Sequence, residues 1–85
     1  MTMKQRMEDK LSAEFSPQHL EIIDESEDHR GHGGYREGGE THFRIVMRSD
    51  KLRGMSRVAR QRAVMICVKA EMDERVHALA LDVSE

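Results

Sequence analysis

Histidine is the residue type best suited to chemistry in this chain of 85 residues, which contains five histidines and one cysteine. His29 and His32 lie three residues apart in a glycine-rich segment, and His77 begins an apolar stretch near the end of the chain. Neutral imidazole binds zinc, copper and iron, and a glycine-rich segment brings a ligand to a metal with little backbone strain. These three histidines are the candidate metal ligands. The alternatives are solvated loop residues for His29 and His32, and a hydrogen-bonded histidine at the edge of the core for His77.

A self-sufficient metal site or a nucleophilic enzyme is poorly supported. A closed zinc site needs four ligands, and one cysteine excludes both an all-cysteine site and an intrachain disulfide. Cys67 lies between Ile66 and Val68, which favours a small buried thiol. The sequence contains no serine elbow, phosphate-binding glycine motif or HExxH helix. We therefore expect a binding protein or adaptor and not an enzyme.

Arginines form a second group of candidate functional residues, suited to binding phosphate groups. The net charge is only −2, but residues 44–62 carry a balance of +6. Within them a glycine turn and a predicted helix start carry four arginines, which suit phosphate groups: Arg53, Arg57, Arg60 and Arg62. A solvated cationic face is the alternative. An aromatic content of 4% leaves few platforms on which bases could stack.

The elements that must position these residues follow from the apolar periodicity. Thr2 is the predicted N-cap of a first helix that Pro17 ends. Its apolar stripe recurs every four residues, at Met3, Met7, Leu11 and Phe15.

Two alternating segments, 19–25 and 41–48, predict an antiparallel hairpin around a long, mobile, glycine- and histidine-rich loop at about 26–40. Ser56 is the predicted N-cap of a helix reaching Met72, and a last strand covers Val76 to Val83. This order, αββαβ, predicts an α+β fold with helices on one face of a three-stranded sheet, in a single domain over residues 1–85.

No apolar run approaches the roughly 20 residues that cross a bilayer, and the first residues lack the apolar region of a signal peptide. We therefore expect a cytoplasmic protein that does not enter membranes, either monomeric or a weak homodimer.

Three segments resemble the BolA-like proteins: LEIIDES at 20–26 followed by a histidine-bearing loop, GETHFRIV at 39–46, and VHALAL at 76–81. Gly54 and the RQR pattern at 60–62 extend the resemblance to about residues 4–83. It implies an αββααβ arrangement similar to type II KH domains, with a three-stranded mixed sheet.

The resemblance also implies an iron–sulfur role. BolA-like proteins pair with monothiol glutaredoxins, either without a cluster or sharing a [2Fe–2S] cluster that a glutaredoxin cysteine and glutathione hold from the other side. The implied ligands of this chain are His77 and a loop histidine. His29 matches the loop ligand best by its position three residues after Ser26, and His32 is the alternative.

Some members of this family are described as DNA-binding regulators of transcription. For this chain the resemblance implies that Arg53, Arg57, Arg60 and Arg62 would carry such contacts. Gln61 departs from the family pattern, which puts a base-reading role at that position in doubt.

Overall fold

The helices of this protein pack on one face of a three-stranded sheet. The computed structural model describes residues 2–26 and 41–85, so residues 27–40, with His29, His32 and nearly all of the predicted loop, lie outside the described residues. The elements are α1 (Met3–Phe15), β1 (His19–Asp24), β2 (His42–Arg48), a 3₁₀ turn (Asp50–Leu52), α2 (Arg57–Cys67), α3 (Lys69–Glu74) and β3 (Ala78–Ser84). In the described part of the chain, no helix is long and apolar enough to span a membrane.

The first helix begins and ends where the sequence predicts. The Thr2 hydroxyl accepts a hydrogen bond from the amide of Gln5, whose side chain accepts one from the Thr2 amide in return, both at 3.1 Å. Ser16, with a left-handed φ of 42°, ends the helix before Pro17. The predicted apolar stripe is buried as a whole, at Met3, Met7, Leu11 and Phe15.

The sheet has the order β1-β2-β3 and is mixed. β1 pairs antiparallel with β2, which confirms the predicted hairpin, and β2 pairs parallel with β3. Ile45 lies opposite Ile22 on one side and Leu81 on the other, and this row faces the helices. Because parallel neighbours need a crossover, α2 and α3 must carry the chain back across the sheet face.

The single helix predicted from Ser56 to Met72 is wrong in one respect, because it divides at Val68. This residue leaves helical geometry at φ −108° and ψ 20°, and α3 begins directly after it. The order is therefore αββααβ, as the family resemblance implies. Ser56 caps α2 as predicted, accepting a hydrogen bond from the Ala59 amide at 3.1 Å.

The second half of this helical pair buries a carboxylate that the apolar pattern did not predict. Glu71 follows Val64 and Val68 on the core side at helical spacing, and all three side chains are fully buried. Its Oε2 lies 3.0 Å from Nη2 of Arg6 and 2.9 Å from Nζ of Lys10, both on α1. A buried charge is tolerated only when it is paired, so these two cations stabilise the packing of α3 on α1.

Arg6 is held by a second carboxylate at the same place. Its Nη1 donates to Glu74 at 2.6 Å. This hydrogen bond, followed by the charge of Glu74 and that of Glu71, raises the pKa of Arg6 against the opposing effect of desolvation. The guanidinium therefore stays charged wherever the protein is folded.

We predict that Glu71→Gln destabilises the fold while the matched exposed substitution Asp73→Asn does not. Glu71 is buried between two cations, so the loss should be about 1–3 kcal/mol in the free energy of unfolding. Asp73 pairs with Lys69 in solvent, at 2.8 Å, and its loss should cost less than about 0.5 kcal/mol. Urea titration followed by far-ultraviolet circular dichroism measures both, and equal losses would contradict the prediction.

Candidate functional site

The two ends of the long loop are joined by the hydroxyl of Ser26. Its Oγ accepts hydrogen bonds from the backbone amides of Thr41 at 2.9 Å and His42 at 3.1 Å. The amide of Ser26 in turn donates to Oδ1 of Asp24 at 2.9 Å, a local turn typical of Asp. Ser26 is 1% exposed. The serine thus ends β1 and places the start of β2 directly beside it.

The start of β2 also fixes the residue that precedes β3. The carbonyl oxygen of Thr41 accepts hydrogen bonds from the amides of His77, at 2.6 Å, and Ala78, at 3.1 Å. The predicted last strand, Val76 to Val83, included His77, but β3 begins at Ala78, so His77 lies directly before the strand. Its backbone position is therefore tied, through Thr41, to both ends of the loop.

The side chain of His77 is exposed, in contrast to a hydrogen-bonded histidine within the core edge. Its ring centroid lies 5.4 Å from that of His42, with the ring planes tilted by 54°. An exposed imidazole on a fixed backbone is a suitable ligand for iron that a partner also holds. His77 therefore offers an exposed nitrogen donor of the type that metals bind.

His42 is the residue of this site that the sequence did not reveal. The alternation of β2 places it on the face opposite Phe43, together with the exposed Arg44. His42 is instead 6% exposed, and its Nδ1 is hydrogen-bonded to Oγ1 of Thr41 at 2.9 Å. No local pattern predicts this burial, because His77 joins it only through the pairing of β2 with β3.

The other two predicted ligands, His29 and His32, lie outside the described residues, so neither is placed relative to His77. Across residues 2–26 and 41–85, no group of three or more His, Cys, Asp or Glu side chains is arranged to hold a metal ion. The described part of the chain thus offers His77 as a donor but does not by itself form a closed site.

Cys67 lies apart from these histidines, as the last residue of α2. It is half-buried, so the prediction of a buried thiol was only partly right. Burial, followed by the negative charge of Glu14, raises the pKa of the thiol; Lys10 opposes this increase, and Glu71 adds a smaller contribution to it. Because the thiolate is the reactive and metal-binding form, this environment disfavours both roles at neutral pH.

Two of the four candidate phosphate-binding arginines are engaged within the protein. Arg53 lies 3.1 Å from Oε2 of Glu85 and 3.3 Å from Oδ1 of Asp50. Arg60 lies 3.5 Å from Oε1 of Glu85, and its Nε donates to the carbonyl of Leu52 at 3.2 Å. Glu85 therefore neutralises part of the basic block, a long-range pairing that local composition did not reveal.

The remaining two, Arg57 and Arg62, are exposed, and neither forms an ion pair with any other residue that the structure describes. The same helix exposes large apolar side chains, Val58 and Ile66, the latter to 74%. The outer side of α2 is therefore a mixture of cationic and apolar groups and not a uniformly basic surface.

Known proteins are similar to this chain in sequence and in fold. A model of the BolA-like protein family matches residues 11–85. An uncharacterized protein in the cobS 5' region of Sinorhizobium sp is 43% identical over 83 residues, covering 96% of this chain and 89% of that protein. The DNA-binding transcriptional regulator BolA of Escherichia coli (strain K12) is 38% identical over 81 residues, covering 95% of this chain and 73% of that protein.

Comparison with solved structures also finds BolA proteins. The structure of BolA1 from Arabidopsis thaliana superposes with a TM-score of 0.86 at 31% identity, covering 99% of this chain and 92% of that one. Fold, family match and relatives agree over nearly the whole length of the sequence. The chain belongs to the BolA-like protein family.

Proposed function

We propose that this protein is a non-enzymatic adaptor in iron–sulfur cluster assembly, trafficking or iron sensing. It would act as a heterodimer with a monothiol glutaredoxin, either without a cluster or with a [2Fe–2S] cluster as shared cargo. The observation that carries this proposal is the exposed imidazole of His77, which lies at the base of a histidine-bearing loop on a backbone held by Thr41.

The chain would contribute a pair of imidazoles, from His77 and from either His29 or His32. The partner's cysteine and glutathione would supply the other two ligands. The two hydrogen bonds to the Thr41 carbonyl keep the backbone of His77 in place without occupying its ring. When bound, the cluster supplies one-electron redox chemistry, and imidazole in place of thiolate raises its potential.

The adaptor role is supported over an enzymatic one by what surrounds the reactive side chains. The pKa of Cys67 is raised, which opposes its use as a nucleophile. The recess of about 280 Å³ beside His42 is open, and alanines and aliphatic carbon make up much of its wall. Such a surface is better suited to contact with a partner than to enclosing a small substrate.

We predict that His77→Ala prevents stable loading of the heterodimer. Reconstitution with a glutathione-loaded monothiol glutaredoxin, followed by visible absorption and circular dichroism, should show cluster occupancy at least about tenfold lower, equivalent to about 1.4 kcal/mol. His19→Ala is the matched control, because His19 is exposed on β1. It should leave the spectrum unchanged. A wild-type spectrum from His77→Ala would rule out His77 as a ligand.

The loop ligand is assigned by the same reconstitution with His29→Ala, His32→Ala and the double variant. One single variant should lose the cluster as His77→Ala does, since each protein ligand is needed to hold a shared cluster. If the double variant loads normally, the second ligand is not a loop histidine.

Binding to DNA is the second candidate function. It is favoured by the name of the E. coli relative and by the two exposed arginines of α2, Arg57 and Arg62. Arg53 and Arg60 would contribute less, because Glu85 already pairs with both. The exposed apolar side chains on the same helix, Val58 and Ile66, count against an extended phosphate contact.

For this function we predict that Arg57→Ala and Arg62→Ala each weaken duplex binding and reduce the salt slope by about one. Arg53→Ala should have a smaller effect, because its guanidinium is already paired. Fluorescence anisotropy against a labelled duplex at several salt concentrations measures all three. Binding that depends on neither salt nor these arginines would exclude the nucleic-acid function.

A further inference from the structure

We infer that His42 is a positioning residue that holds the imidazole of His77 in one orientation. The purpose of this arrangement rests on the proposed function, because an oriented imidazole serves the partner that shares the cluster. The arrangement itself consists of two rings whose centroids lie 5.4 Å apart, one buried and one exposed.

The ring of His42 is held in place by a hydrogen bond to a buried side chain. Its Nδ1 is hydrogen-bonded to Oγ1 of Thr41 at 2.9 Å, and Thr41 is fully buried. Both neighbouring amides are held as well, because those of Thr41 and His42 donate to the hydroxyl of Ser26. A ring whose backbone and side chain are fixed in this way forms a rigid surface on which another ring can pack.

The same threonine holds the backbone of His77, since its carbonyl accepts the amides of His77 and Ala78. The carbonyl of Thr41 therefore fixes the backbone of His77. Its hydroxyl fixes the ring of His42, against which the ring of His77 packs. An exposed histidine ordinarily exchanges among staggered rotamers. Contact with a fixed ring on one side removes some of them and lowers the entropy cost of binding a ligand.

The space around His42 shows what its removal would do. An open recess of about 280 Å³ is lined by His42 together with Arg44, Ala78 and Ala80. The alanines are too small to replace an imidazole. Truncation of His42 would enlarge this recess and give the adjacent ring of His77 room to turn into it.

The test is the side-chain conformation of His77 in the isolated chain, measured by NMR from the three-bond couplings that report χ1. The wild type should show one χ1 rotamer at about nine-tenths or more, and His42→Ala should reduce it to about one half. His19, exposed on β1, is the internal control and should be averaged in every variant. A wild-type His77 as averaged as His19, or a single rotamer retained in His42→Ala, would overturn the inference.

Thr41→Val provides a second variant in case His42→Ala does not fold. It preserves the branched shape and the backbone carbonyl, and it removes only the hydroxyl that fixes the ring of His42. The major rotamer of His77 should lose population in the same direction. If His42→Ala is unfolded, Thr41→Val decides alone, and an unchanged His77 rotamer would then overturn the inference.

A second measurement separates this inference from the proposed function. In the reconstituted heterodimer, His42→Ala should still load the cluster but shift its visible circular dichroism bands, whereas His77→Ala should lose them. The χ1 measurement needs no cluster and no partner. If His77→Ala loads normally while the rotamer result holds, the proposed ligand fails and the positioning stands. If the rotamer result fails while His77→Ala loses the cluster, His77 stands as a ligand and the positioning role of His42 is overturned.

Discussion

The hydrogen bonds around Thr41 join three parts of the chain that are far apart in sequence. Its amide reaches the hydroxyl of Ser26 at the end of β1, and its carbonyl receives the amides of His77 and Ala78 before β3. All of these groups would otherwise need water or another partner in a buried setting. The backbone of the candidate ligand and the residues on both sides of the loop are therefore held together through the amide and the carbonyl of Thr41.

Local periodicity was sufficient to predict the first helix and the hairpin, because the stripe from Met3 to Phe15 and the alternation of β2 are properties of neighbouring residues. It failed where the deciding contact is distant. It did not predict the burial of Glu71, because the partners of this carboxylate, Arg6 and Lys10, lie on another helix. His42 is a second example, since the contact of its ring with that of His77 depends on the parallel pairing of β2 with β3. The loop ligands His29 and His32 stay predictions.

Charge in this molecule is likewise organised by tertiary pairing and not by position in the sequence. The basic block has a balance of +6, but Glu85 and Asp50 engage Arg53, and Glu85 also engages Arg60. What remains on the outside of α2 is two arginines among apolar side chains. A net count over a segment therefore overstates the field that a phosphate group would meet, and exposure decides which cations can act.

The parallel pairing of β2 with β3 also has a consequence for when His77 reaches its position during folding. Pairing between strands that are distant in sequence must first close the intervening chain, and contacts of this kind form slowly in small domains. His77 reaches its place beside Thr41 only when β3 has docked. A chain still emerging from synthesis, or one whose last strand has detached, would present no fixed imidazole to a partner. The site is therefore formed only in a chain whose sheet is complete.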